Sequence, residues 1–352
     1  MTLTRYAPDA IRTLQNAPFD TVIDVRAPSE FAEDHVPGAI NLPVLSDAER
    51  AQVGTIYKQD SPFMARKLGA ALVAQNAAHH LQTALADKPG NWQPLVYCWR
   101  GGQRSGSFAT ILSQIGWRVH VLEGGYKSWR RLVLAELYDA PFPAQVILLN
   151  GGTGTGKTDI LSHLAGMGAQ VIDLEALAGH RGSVFGGIGT QPSQKLFETR
   201  LAQATAALDP TRPVILEAES NRIGAIRLPP GLWDAMRGAE IIEITAPLDA
   251  RANYIAARYR DLAQDKDRVA QVLDSLRKHH PAARVHDWQY MAAEPVALAR
   301  ELISEHYDPR YARVAKKTTP LARLALPNLS DDTLADAARR IGDIAAKSRS
   351  NS

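Results

Sequence analysis

Gln145-Val-Ile-Leu-Leu-Asn-Gly-Gly-Thr-Gly-Thr-Gly-Lys-Thr158 decides how this chain is read. Its apolar start reads as a buried strand over residues 145–149. The glycine-rich stretch then turns the chain, and a helix is expected over 157–164. Gly151, Gly152, Thr153, Gly154, Thr155, Gly156, Lys157 and Thr158 fit G-x-x-x-x-G-K-[ST] at every fixed position. They also stand in the strand–turn–helix setting the motif requires. Glycines let backbone N–H groups converge on phosphate oxygens, and the following helix N-terminus adds partial positive charge. Lys157 would neutralise the terminal phosphates, and Thr158 would offer its hydroxyl to a Mg²⁺ ion.

Outward from this loop, residues 169–172, 213–216 and 240–244 read as further strands. Strands alternating with helical stretches argue for a parallel sheet. The usual second magnesium-site residue is an aspartate after an apolar strand. Here the strand at 214–216 ends in Glu217, with Glu219 two residues on, and Asp173 follows the strand at 169–172. Glu217 equally reads as a solvated strand end, and Asp173 as a cap of the helix beginning at Leu174. Whether the ligand is a nucleoside triphosphate or another diphosphate stays open. His180, Arg181 and Ser183 lie in a glycine-rich run, His180-Arg-Gly-Ser-Val-Phe-Gly-Gly187, that suits anion contact and equally suits a plain surface loop.

The first part of the chain carries its own alternation. Strands are expected at 21–25, 94–97 and 118–122, with helical stretches over 61–86 and 104–115. Around Leu137 the chain runs Leu-Tyr-Asp-Ala-Pro-Phe-Pro-Ala-Gln145. Two prolines in three residues disfavour a helix or a central strand, so the domain boundary is placed there. The resulting division is 1–138, 139–317, and a 318–352 extension made of a helix and a disordered tail.

The 352 residues suit about two domains. Hydrophobic residues make up 45% and charged residues 22%, which excludes a disordered or collagen-like chain. Forty Lys and Arg against 37 Asp and Glu leave a net charge of only +3, so any nucleic-acid role needs a local basic patch. A single cysteine, Cys98, cannot form an internal disulfide. With no apolar leader and no run of about 18 apolar residues, a cytoplasmic location is expected.

Cys98-Trp-Arg-Gly-Gly-Gln-Arg104-Ser105 follows a strand and opens a helix. Converging N–H groups, Arg100 and Arg104 should favour the thiolate, the nucleophilic form. The same cradle would bind an oxyanion at or near the sulfur.

This loop resembles the active-site loop of rhodaneses. Asp24-Val-Arg26, Glu30-Phe31, His35-Val-Pro-Gly-Ala-Ile-Asn-Leu-Pro43, Leu122-Glu-Gly-Gly125 and Trp129 are similar to other parts of that domain. The resemblance implies that Asp24 and Arg26 brace the loop and that Cys98 carries a chalcogen. Five residues separate Cys98 from Arg104, one more than in sulfurtransferases of this fold. The longer loop resembles that of related phosphatases and would admit a phosphate-like anion. The fold expected is α/β: a rhodanese-like parallel-sheet domain, then a P-loop NTPase-like α/β domain with a helical C-terminal part.

The two motif sets in this order, with His180-Arg-Gly-Ser-Val-Phe-Gly186, resemble the tRNA 2-selenouridine synthase family over roughly residues 21–313. The resemblance implies a transferase acting on tRNA with a wobble 2-thiouridine. It implies S-geranylation with geranyl diphosphate, then selenation with selenophosphate, and no tightly bound cofactor. The phosphate loop would hold geranyl diphosphate, and the cysteine loop would hold selenophosphate. Whether Cys98 forms a perselenide or positions the donor stays open. Arg251, Arg258, Arg260, Arg277, Lys278, Arg284, Arg310, Arg313, Lys316 and Lys317, interleaved with Tyr254, Tyr259, Trp288 and Tyr290, would meet the tRNA backbone and stack an extruded base. Asp261, Asp265 and Asp267 weigh toward a solvated, ion-paired face instead. The competing functions are a sulfurtransferase fused to an ATP-dependent kinase or ATPase, and a non-catalytic anion-sensing, tRNA-binding module.

Overall fold

The computed structural model describes residues 3–180, 190–258, 260, 265–314 and 319–348, with the side chains of 313 and 314 left aside. The expected positions Arg181, Ser183, Tyr259, Asp261, Lys316 and Lys317, the side chain of Arg313 and the end of the tail lie outside these residues. The chain forms two compact units, 1–141 with 192–207, and 142–191 with 208–352.

The first unit is built on strands β1 (Thr4–Tyr6), β2 (Thr21–Asp24), β3 (Ile40–Asn41), β4 (Pro94–Tyr97) and β5 (His120–Leu122). They lie in the order β1-β5-β4-β2-β3, all parallel. All four residues of β4 are buried, as an unbroken apolar strand covered on both faces should be. Ile23, Val96, Phe108, Leu112 and Val121 share the core. The helix Gln103–Ile115 buries Phe108, Ala109 and Leu112 and stops at Gly116, whose φ of +114° only glycine adopts freely.

The helix Gln194–Ala206 departs from the expected division, which put it in the second domain. It belongs to the first unit, where Phe197, Leu201 and Ala202 are buried. Its Glu198 pairs with Arg130 and accepts the Tyr138 hydroxyl at 2.8 Å, while Lys195 reaches Glu33 at 2.7 Å.

The second unit carries β6 (Val146–Gly151), β7 (Gln170–Ile172), β8 (Val214–Glu217), an antiparallel pair β9 (Arg222–Ile223) and β10 (Ile226–Arg227), then β11 (Glu240–Thr245) and β12 (Ala322–Ala325). The main sheet runs β12-β11-β6-β8-β7 and is parallel throughout. The segment expected as a C-terminal extension is instead integral. β12 adds an edge strand, and the helix Asp331–Ser348 packs Leu334, Ala338 and Ile341 into the same core as Ile160 and Leu164. From β6 the chain crosses to one side of the sheet and later returns on the other. That reversal leaves a crevice at the carboxyl end of β6, where α/β sheets bind ligands.

A helical part inserted between β11 and β12 has its own core of Leu273, Leu276, Val285, Trp288, Leu298 and Leu302. Among the described residues no helix is long and apolar enough to cross a membrane.

Candidate functional site

In the first unit, Cys98 lies at the carboxyl end of β4 and is only 3% exposed. The backbone beneath it is held by its neighbours. Tyr126 N–H donates to the Cys98 carbonyl at 2.8 Å and Lys127 N–H to that of Trp99 at 3.1 Å. Gly125, at φ +60°, allows this approach, because a Cβ there would collide with the Cys98 carbonyl and the Gly101 nitrogen. With its carbonyls tied down behind, the loop is free to turn N–H groups toward the sulfur.

Burial pushes the Cys98 thiol up. The Ser105 hydroxyl, the N–H groups of Ser105 and Arg100, and the Arg104 charge outweigh it, so the thiol ends below its ordinary value. The Ser105 hydroxyl stands 3.1 Å from Sγ. Ser105, assigned no role from the sequence, is thus a donor to the sulfur. Its one sequence signal is a hydroxyl in the first turn of the helix after the loop. The Arg100 side chain is exposed and contributes through its backbone. Arg104 pairs with Glu30 at 2.9 Å, and Glu30 also takes Arg50 at 2.9 Å.

Asp24 and Arg26 form a buried ion pair at 2.6 Å. The Arg26 guanidinium also donates to the Asp34 carbonyl at 2.6 Å and lies 4.0 Å from the Tyr126 ring centroid. Tyr126 in turn gives its hydroxyl to Asp34 at 2.7 Å. The pair therefore meets the loop's supports, the Tyr126 ring and the Tyr97 ring, the latter's centroid 5.8 Å from the guanidinium.

In the second unit, a cavity of about 600 Å³ opens at the carboxyl end of β6. Gly151 and the run Thr153–Thr158 form one wall, and Asp173, Glu175, His180, Glu217 and Glu219 another. Lys157 Nζ donates to the Gly151 carbonyl at 2.8 Å, and the Thr155 hydroxyl to the Gly152 carbonyl at 2.9 Å. Gly156, at φ +80°, sets the turn into the helix Lys157–Gly166. Gly152 is where backbone must pass close to the Arg251 guanidinium, since a Cβ there would meet it at 2.7 Å.

Arg251 was expected to face tRNA, and the structure corrects this. It is 8% exposed and donates to the Thr153 carbonyl at 2.9 and 2.8 Å and to the Asp308 carboxylate at 2.9 and 2.7 Å. A guanidinium used on both edges braces the phosphate loop and has no edge left for an RNA phosphate.

The carboxylates of the cavity crowd together. Asp173 caps the helix Leu174–Leu177, accepting from Ala176 N–H at 2.7 Å. Glu217 Oε1 accepts from Glu175 N–H at 2.6 Å, while its buried Oε2 has no partner among the described residues. Burial, with the nearby Asp173 and Glu175 charges, pushes Glu217 well above the ordinary carboxylate range. Burial and the Glu219 charge push Glu175 up to about 8, and burial raises Glu219. Thr158 lines the same cavity as these carboxyls. Among the described residues no group of three His, Cys, Asp or Glu side chains could hold a metal ion. Burial also lowers His180.

The remaining expected cations lie in the helical part. Arg258 pairs with Asp159 at 2.9 Å, Arg277 with Asp274, and Arg284 with Glu301 at 3.5 Å. Lys278 and Arg260 are exposed. Trp288 is fully buried in the helical core and so offers no stacking surface, whereas Tyr290 is 78% exposed.

Residues 7–132 match the family model described as a rhodanese-like domain, and residues 144–282 the one described as a tRNA 2-selenouridine synthase AAA domain. A Nitrosomonas europaea protein is 38% identical over 68% of this chain and 63% of its own length, so the match spans just under two thirds of that relative. A Bdellovibrio bacteriovorus protein is 37% identical over 74% of this chain and 69% of its own. A Pseudomonas syringae pv. tomato protein is 32% identical over 83% of this chain and 87% of its own. All three are named tRNA 2-selenouridine synthase. The matches span both the cysteine loop and the phosphate loop, and on that ground the chain belongs to the tRNA 2-selenouridine synthase family.

Proposed function

We propose that this chain converts wobble 2-thiouridine in tRNA to 2-selenouridine in two coupled steps. In the first, the thio sulfur attacks C1 of geranyl diphosphate. The C–O bond breaks, diphosphate leaves, and the uridine N3 proton is released. In the second, the selenium of selenophosphate attacks C2 and geranylthiol departs. Water then cleaves the Se–P bond and releases phosphate.

The phosphate loop holds the diphosphate as it leaves. Its N–H groups and Lys157 answer the charge that develops on the departing oxygen, where a fixed donor does most for the rate. The carrying observation is the pair of anion cradles in one chain: the phosphate loop lining a cavity of about 600 Å³, and the Cys98 loop with its lowered thiol. A diphosphate in the first and a selenophosphate-sized anion in the second account for both, and no step is routed through magnesium at Thr158. The Cys98 loop receives the selenophosphate-sized anion, and the cation-bearing helical part meets the tRNA.

Mass spectrometry of nucleosides tests the reading. Thio-tRNA incubated with protein and geranyl diphosphate should yield geranylated thiouridine, and addition of selenophosphate should yield selenouridine. Steady ATP turnover with neither product would overturn it in favour of an ATPase, and tRNA retention without any product in favour of a binding module.

A further inference from the structure

Most arginines of the helical part spend their charge on carboxylates: Arg251 on Asp308, Arg258 on Asp159, Arg277 on Asp274 and Arg284 on Glu301. Arg310 differs. It is exposed, and its partners among the described residues are two imidazoles, Nη1 lying 3.4 Å from His306 Nε2 and Nη2 lying 3.4 Å from His279 Nε2. No carboxylate among the described residues pairs with it.

These contacts fix the protons. A guanidinium only donates, so His306 Nε2 and His279 Nε2 are acceptors. His306 must then carry its proton on Nδ1, which lies 2.8 Å from His280 Nε2 and donates to it. His280 completes the chain as the Nδ1–H tautomer, with Trp288 edge-on to its ring at 4.8 Å. Arg310 is thus oriented by imidazoles and is not neutralised by a carboxylate among the described residues.

We propose that Arg310, with Lys278 and the His279–His280–His306 cluster, is a binding site for the phosphodiester backbone of RNA, and that seating a phosphate there draws a proton from solvent onto the imidazoles. The site rests on the tRNA reading given above and assigns the contact within it. Charged neighbours face each imidazole. Arg310, Lys278 and His280 face His279; Arg310 and Arg284 face His280, opposed by Glu305; Arg310, His279 and His280 face His306. Burial and these cations lower all three imidazoles, His306 to about 4. A phosphate seated at Arg310 offsets the repulsion that lowers the imidazoles. Since the bound state then holds more protons than the free one, affinity rises as pH falls. A divalent cation is the wrong ligand here, because Arg310, Lys278 and Arg284 would repel it.

The test measures tRNA affinity for the full chain against salt and against pH at fixed ionic strength. The parent should bind more tightly from pH 8 to 6, by up to ~10-fold per pH unit for one proton. Arg310→Gln should weaken binding several-fold at all pH values and flatten the slope of log affinity against log salt by about 0.7–1. Arg310→Lys should restore the slope. His279→Gln with His280→Gln should lose the rise in affinity that the parent shows from pH 8 to 6. If the parent binds tRNA but Arg310→Gln leaves the salt slope intact, or the histidine variant keeps the pH dependence, the site is overturned and the tRNA reading stands. If the parent holds no tRNA, both fall.

Discussion

The Ser105 hydroxyl reaches the Cys98 sulfur across 3.1 Å from the first turn of the helix that follows the loop. This contact opposes the burial that would otherwise push the thiol up. Ser105→Ala should therefore raise the pH at which Cys98 becomes thiolate. Iodoacetamide alkylation followed against pH reads this directly. An unchanged midpoint would mean that the backbone N–H groups alone set the thiolate.

Gly125 gives a second prediction. A side chain there meets backbone, the Cys98 carbonyl and the Gly101 nitrogen, and neither can swing aside. The φ of +60° adds strain for any L side chain. Gly125→Ala should lower the urea midpoint of the first unit and slow Cys98 alkylation at a given pH. The phosphate-loop cavity, built from the other unit, should still bind diphosphate.

The two loops should also separate kinetically. Cys98→Ala should leave geranylation of thio-tRNA near the parent rate and abolish selenation. Lys157→Ala should lower geranylation by about 10²-fold or more, the scale expected for removing a donor that answers charge on a leaving group. Selenation at the parent rate in both variants would remove the assignment of chemistry to these loops.

Arg251 distinguishes a brace from an RNA contact. Arg251→Lys keeps the charge but cannot span the Thr153 carbonyl and the Asp308 carboxylate together. Diphosphate affinity, measured by calorimetry, should fall about tenfold, while the salt slope of tRNA binding should stay within error. The opposite pattern would return Arg251 to the tRNA face.

The parts of this molecule that read well from sequence are those whose cause is local. Val146 to Leu149 is an apolar run before a glycine-rich turn, and it forms the central strand. Gly101, Gly116 and Gly156 all sit at positive φ, where a turn or a helix end demands glycine. Asp173 could be a metal ligand or a cap on local grounds, and in the structure it is a cap. What sequence could not show was set by distant partners. Arg251 reads as one cation among many until Asp308, 57 positions later, takes its other edge. Ala322–Ala325 is too short and too plain to announce itself, and is a strand because β11 offers an open edge. The helix Gln194–Ala206 follows the phosphate loop in sequence, but its buried face matches the first unit.

That helix has a consequence for how the chain comes off the ribosome. N-terminal domains ordinarily complete themselves as soon as they emerge. Here the first unit cannot, because residues 192–207 belong to it and are made only after β6, β7 and the phosphate loop. Until then Arg130 and Tyr138 have no Glu198 to meet. A gene fragment ending at Pro141 would encode an unfinished rhodanese-like body, with the surface meant for Phe197 and Leu201 bare to water. Recombinant work on the sulfur chemistry therefore calls for a clone running at least through Ala207, and limited proteolysis at a single junction should not release the two bodies as independent products.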